Sequence, residues 1–319
     1  MKYYLGMDIG GTKCAVVLGE KGSSSVKDKI RFDTRSKRGW RTVVGELISS
    51  AYELLGRNGI SCEDVIACGV SCGGPLNSET GVIMCPPNLP DWDNVPLAQM
   101  ITDEFGFPCK VRNDADACAL AEWQFGAGRG CRNMIFLTFG TGMGAGLILD
   151  GRLYSGTLGM AGEVGHMRID ADGPVGYGKA GSFEGYCSGA GIASTTRKML
   201  PLYNGETVLT PDDVSAKAVA QAATGGDRLA QAIYRRCGEK LGLGLSILID
   251  ILNPERIVIG SIFARSSHLL VDSMNETIKK EALPASAACC TVVPAMLGDE
   301  IGDYAALGVA KDYAEGKND

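Results

Sequence analysis

Two stretches of the 319-residue chain share one pattern. Near the start, YLGMDIGGTKCAVVLGE sets an apolar run, a Gly-Gly-Thr-Lys cluster and a second apolar run. Further on, IFLTFGTGMGAGLILDG repeats this around Gly140, Thr141 and Gly142. Both read as hairpins. Neither has P-loop spacing and neither leads straight into a helix, which disfavours a Walker-type or dinucleotide site. Gly10 and Gly11 lack a Cβ, so their amides can crowd an anion; Thr12 adds a hydroxyl and Lys13 a cation. One such loop is as readily an ordinary turn. Two in matching contexts favour facing hairpins that hold the phosphates of one nucleotide. Asp8 ends the first strand, where a carboxylate can orient Mg²⁺ or its waters. The second hairpin has no acid there, as expected if a single metal site suffices.

The chain is longer than one compact core needs, so two domains are expected. Strand-like and helix-like segments alternate up to GAGRGCRN, and the pattern then restarts with the second hairpin. This is a weak internal repeat of domain size. It predicts an α/β fold of two similar domains, 1–115 and 116–302, with a helix over about 303–319 packing back on the first. Open α/β sheets take ligands at strand ends and domain interfaces, so the expected site is the cleft between the halves.

A charge of -6 argues against a nucleic-acid partner, which calls for a basic face. No secretory leader and no run of about 18 apolar residues stands out, so no membrane partner is expected. The 12 cysteines are scattered, mostly in apolar runs and without CxxC, and read as reduced core thiols of a cytoplasmic protein.

VRNDADACALAE places Asn113 and Asp114 where a strand hands over to a helix. Asp114 there is either a helix cap or a catalytic carboxylate. Its companions favour chemistry. PPNLPDW supplies Asn88, Gly73 and Gly74 form a turn, MAGEVGHMRI supplies Glu163 and His166, and SFEGYCSG supplies Glu184. Carboxylates, an amide and an imidazole in glycine-rich loops suit a polyhydroxylated substrate. Phosphoryl transfer to a sugar hydroxyl benefits from a carboxylate that accepts its proton, and Asp114 is the natural base.

With DIGGTK, PNLPDW, NDADACALAE, TFGTGMGAGLILDGRLYSGTLGMAGEVGHM and IVIG together, the chain resembles the ROK family (repressors, open reading frames and kinases) over nearly its whole length. The resemblance implies two actin-like, ribonuclease H-like domains and an ATP- and Mg²⁺-dependent hexose kinase of the glucokinase type. Kinases for N-acetylglucosamine, N-acetylmannosamine, mannose, fructose or allose are the alternatives, and a catalytically silent sugar-sensing regulator is the alternative from another class. Carried over by position, the base is Asp114. The sugar contacts are Gly74, Asn88, Asn113, Asp114 itself, Glu163, His166 and Glu184. The nucleotide contacts are Asp8, Gly10 to Lys13, Gly140 to Gly142 and Gly260, with Asp8 acting on Mg²⁺ indirectly. A homodimer or homotetramer is implied too. The family's repressors carry a DNA-binding segment ahead of this region; with none read here, a repressor role is not expected.

One loop departs from the family. Its zinc motif resembles CxCGxxGCxE, joined by a His; here the three Cys positions are Val175, Tyr177 and Ser182. One His with a Ser and a Tyr is not a structural zinc set, and Cys187 lies beyond the pattern. No zinc is expected. The loop must be held by packing and hydrogen bonds.

Overall fold

A computed structural model of the chain describes residues 1–316. The chain divides into two compact units. The first comprises Met1–Gly130, Leu153–Ala161 and the segment from Asp299 on; the second comprises Cys131–Arg152 and Gly162–Gly298. The boundary expected at 115/116 falls within a helix that lies wholly in the first unit.

In the first unit, β1 (Tyr3–Ile9), β2 (Lys13–Glu20) and β3 (Val26–Asp33) form an antiparallel meander, followed by α1 (Trp40–Arg57) and β4 (Val65–Cys72). Helix α2 (Leu97–Phe105), β5 (Cys109–Asn113) and α3 (Asp114–Phe125) come next. The sheet order is β3-β2-β1-β4-β5, with β1, β4 and β5 parallel. Side chains alternate along β1 with the period of a strand. Leu5, Met7 and Ile9 join the core built with Val43, Leu47 and Leu54 of α1, while Tyr4 joins Ala15 and Val17 in a second cluster. Each large aliphatic side chain buried this way contributes about 1.5–3 kcal/mol relative to exposure.

The second unit opens with the hairpin β6 (Met134–Phe139) and β7 (Met143–Leu149). The one-turn α4 (Phe183–Tyr186), then α5 (Gly189–Met199) and the long α6 (Arg228–Leu252) follow. Parallel strands β8 (Arg256–Ile259) and β9 (Thr291–Pro294) extend the sheet in the order β7-β6-β8-β9. Asp227 starts α6 by accepting the Ala230 N–H at 2.9 Å. A hairpin continued by parallel strands thus occurs in both units, the repeat seen in the sequence.

The last helix, α7 (Ile301–Glu315), belongs to the first unit. Its Ala306, Leu307 and Ala310 cover Tyr4, Ala15 and Val17. Gly6 allows the approach, since a Cβ there would lie 2.8 Å from that of Ala306. The final three residues of the helix expected over 303–319 lie outside the described residues. All 12 cysteines are free thiols, most of them buried. Among the described residues no helix is long and apolar enough to cross a membrane.

Candidate active site

Ile9, Cys72 and Asn113 stand side by side in the register of β1, β4 and β5. Three chain segments therefore leave the sheet from one edge: the Gly10–Gly11 turn, the Gly73–Gly74 turn and the start of α3. The carboxyl ends of parallel strands are where open α/β sheets bind ligands. The Gly10 N–H donates to the Lys13 carbonyl at 3.0 Å, closing the turn. Thr12 and Lys13 are exposed beside it. A Cβ on Gly11 would meet the Asn88 carbonyl oxygen at 2.9 Å, so only glycine lets this turn touch the PPNLPDW loop. Leu89 and Trp92 anchor that loop in the core and leave Asn88 exposed.

The cap on α3 is Asn113, whose side-chain oxygen accepts the Asp116 N–H at 2.7 Å. Asp114, the residue that the sequence offered as a cap, is thereby released. Its Oδ1 accepts the Ala115 N–H at 2.9 Å and the side chain reaches the surface. The dense protein around it still displaces much of its water and pushes the carboxyl pKa up.

Burial pushes Asp8 up to about 6, with Asp303 and Asp114 adding repulsion while a Ser71 hydrogen bond and Arg31 oppose it. Asp303 is itself buried and accepts from Lys29 and Arg31, each at 2.8 Å. Beside it, Gly302 is bare because the Asp8 carboxylate fills the space of a Cβ. Asp116 is also pushed up to about 6 by burial, although the Ser155 hydroxyl donates to it at 3.0 Å. Ser71 and Asp303 were not read from the sequence. Ser71 had a faint signal, one residue before the end of a buried strand; Asp303 had none.

In the second unit, the Gly140 N–H donates to Gly142 O at 3.1 Å, and the Gly189 N–H donates to Gly140 O at 2.7 Å. Helix α5, capped by Ser188, thus begins against the second hairpin. Gly260 follows β8 and donates its N–H to Leu137 O at 2.9 Å. Ile262 beyond it and Ala216 both approach Gly189. Ala216, Ile262, Tyr234, Arg265 and His268 line a cavity of about 640 Å³. A larger hollow, about 1090 Å³, lies along Thr207, Leu209 and Asp227 and includes none of the expected site residues.

Glu163 is exposed on a segment pinned by the Ala145 N–H to Gly162 O bond at 2.9 Å. The His166 ring meets Tyr177 edge-on at 4.7 Å between centroids, and Lys179 Nζ donates to the His166 carbonyl at 2.7 Å. Ser182, at one of the three family Cys positions, is fully buried. Its hydroxyl accepts the N–H groups of Gly185 at 3.1 Å and Gly176 at 3.2 Å and also meets the Gly176 carbonyl. These bonds tie the loop together. Among the described residues no three His, Cys, Asp or Glu side chains are placed to hold a metal. Glu184, on α4, directs Oε2 beneath the second hairpin and accepts the Met143 N–H at 3.0 Å. The Asp8, Asp114, Asn88 and glycine-turn group therefore gathers in the first unit, and the Gly140 hairpin, Glu184 and Gly260 group in the second.

The ROK family model matches residues 4–312. A glucokinase of Thermotoga maritima is 30% identical over 317 residues, covering 98% of both chains. The structure of a ROK family glucokinase from Streptomyces griseus, in complex with glucose and AMPPNP, is 27% identical with a TM-score of 0.73; the match covers 97% of this chain and 99% of that one. A ROK family transcriptional regulator homologous to the Escherichia coli Mlc protein is 26% identical with a TM-score of 0.85, covering 98% of this chain and 79% of the regulator.

Proposed function

Because the chain belongs to the ROK family, we propose that it is an ATP-dependent sugar kinase whose acceptor is glucose at the 6-hydroxyl, with Asp114 as the general base. The observation that carries this reading is the division of labour at the start of α3. Asn113 takes the cap, and Asp114 is left as a surface-reaching carboxylate whose raised pKa makes it a stronger base. It would accept the hydroxyl proton while the sugar oxygen bonds to the terminal phosphorus and ADP departs.

By the family resemblance, the sugar contacts would be Asn88, the Gly74 turn, Asn113, Glu163, His166 and Glu184. The Gly10–Lys13 and Gly140–Gly142 turns would present backbone N–H groups to the phosphates. The cavity beside Ile262, with the Gly260 turn close by, has the apolar walls an adenine ring needs.

Asp8 fits a hard cation: its oxygen donors are the type Mg²⁺ takes, and its burial and acidic neighbours leave negative charge that a cation would relieve. When bound with the nucleotide, Mg²⁺ would offset phosphate charge.

A coupled assay over hexoses and N-acetylhexosamines, with Mg²⁺ and without zinc, tests the reading. Turnover should be fastest with glucose. Faster turnover of another sugar would move the specificity while keeping the kinase. Sugar binding with no ADP release would favour the silent sensor, the reading that the match to a transcriptional regulator supports.

A further inference from the structure

We infer that Glu184 is a positioning residue for the second glycine hairpin, so that one carboxylate serves the nucleotide side as well as the sugar side. The inference rests on the kinase reading for its ligands, but its geometry lies wholly within the second unit.

Glu184 Oε2 accepts the N–H of Met143, the first residue after the Gly140–Gly142 turn, at 3.0 Å. The surroundings are shaped to this contact. A Cβ on Gly142 would lie 2.7 Å from the same oxygen. A Cβ on Gly165 would press on the Met143 carbonyl and stand 3.2 Å from the Glu184 Cβ. Two glycines thus open the space in which carboxylate and hairpin meet.

The helix carrying Glu184 has little freedom to turn away. Ser182 caps it through the Gly185 N–H at 3.1 Å and is bound on its other side to Gly176 at 3.2 Å. Phe183, fully buried on the same turn, packs its ring where a Cβ of Gly244 would stand. From the opposite direction, the Gly189 N–H holds Gly140 O at 2.7 Å. The hairpin is therefore clamped between the start of α5 and the Glu184 carboxylate, and a charged acceptor makes the stronger kind of backbone hydrogen bond. A sugar hydroxyl bonded to the same carboxylate would fix it further. By reciprocity of linked equilibria, sugar would then tighten nucleotide binding and nucleotide would tighten sugar binding by the same factor.

The test compares wild type, Glu184→Ala, Glu184→Gln and Gly142→Ala in the full chain without sugar. Two readouts are needed: hydrogen exchange of residues 140–144 in the ligand-free protein, and calorimetric affinity for Mg²⁺–ADP. Glu184→Ala should speed hairpin exchange and weaken ADP binding by about tenfold, the loss of one charge-assisted hydrogen bond. Glu184→Gln keeps an acceptor oxygen and should recover most of both. Gly142→Ala retains the Glu184 side chain but displaces its carboxylate from the hairpin, and should reproduce the effects of Glu184→Ala even if the latter variant folds poorly. Unchanged exchange and ADP affinity in Glu184→Ala and Gly142→Ala, with only the sugar constant raised, would overturn the inference. If wild type itself binds no ADP, the kinase reading fails, while the exchange measurement still decides whether Glu184 positions the hairpin.

Discussion

In the first unit the acid at the glycine hairpin, Asp8, comes from the strand that builds it, two residues before Gly10. The matching residue of the second hairpin is Thr138, whose hydroxyl accepts the Gly144 N–H at 2.9 Å and so works inside the turn. The carboxylate there is Glu184, which arrives through space from 41 residues beyond Met143 and binds backbone. Two hairpins of similar sequence thus hold their negative charge differently. The Asp8 carboxylate, crowded by Asp303 and Asp114, is electrostatically strained and suited to a cation. The Glu184 carboxylate is already satisfied in part and suited to fixing shape. On the proposed reading, the hairpin of the first unit carries the charge that meets the cation, and the carboxylate of the second holds the shape of its hairpin.

The harshest test of that division is Asp114→Asn, at the same sheet edge as the first hairpin. It should lower kcat by about 10²–10⁴-fold, the usual worth of a general base, with sugar affinity nearly unchanged. Normal turnover would remove the reactive role from the first unit. Next, Asp8→Asn should cut kcat by roughly 10²-fold, on the scale of losing one electrostatic partner of the transition state, and raise the Mg²⁺ concentration needed for half-maximal rate.

The same variant should gain stability, and the sign can be worked out. The carboxyl pKa of Asp8 rises from 3.8 to about 6 on folding. Its favourable contribution is therefore complete below the lower value and is lost as pH climbs through the upper one. Asp8→Asn should match wild type only below about pH 3.8 and become more stable by about 3 kcal/mol as pH passes above about 6, as denaturant unfolding at several pH values would reveal. A constant gap would mean that Asp8 is not strained. The mildest change is Thr138→Val at the equivalent position of the second hairpin. It should cost about 1–2 kcal/mol of unfolding free energy, because the hydroxyl both accepts the Gly144 N–H and donates to the Gly144 carbonyl, and leave the Mg²⁺ dependence alone. An altered Mg²⁺ dependence would erase the contrast between the hairpins.

What the sequence made legible was local. Both hairpins, the helices over Trp40–Arg57 and Arg228–Leu252 and the strand–helix junction at Asp114 follow from patterns a few residues long. Strand β3 is hard to read from the sequence because Lys27, Asp28, Lys29, Arg31 and Asp33 crowd a half-exposed edge and blur its alternation. Whether Asp114 caps the helix or stays free was open because an Asp at that junction caps well, and only backbone geometry shows that Asn113 takes the cap instead. Glu184 was readable as a site residue, but its bond to Met143 was not, since no local pattern encodes a contact with a backbone amide 41 positions away. Nor does local composition indicate that the chain re-enters the first unit at Leu153–Ala161.

The place of α7 has a consequence for biosynthesis. Its Ala306, Leu307 and Ala310 seal the face of β1 and β2 that bears Tyr4, Ala15 and Val17, and its Asp303 neutralises Lys29 and Arg31. A ribosome therefore releases every strand of the second unit before the first unit receives its cover. Until α7 has been made, the nascent chain carries an oily sheet face with two unmatched cations beside it, a surface on which chaperones act.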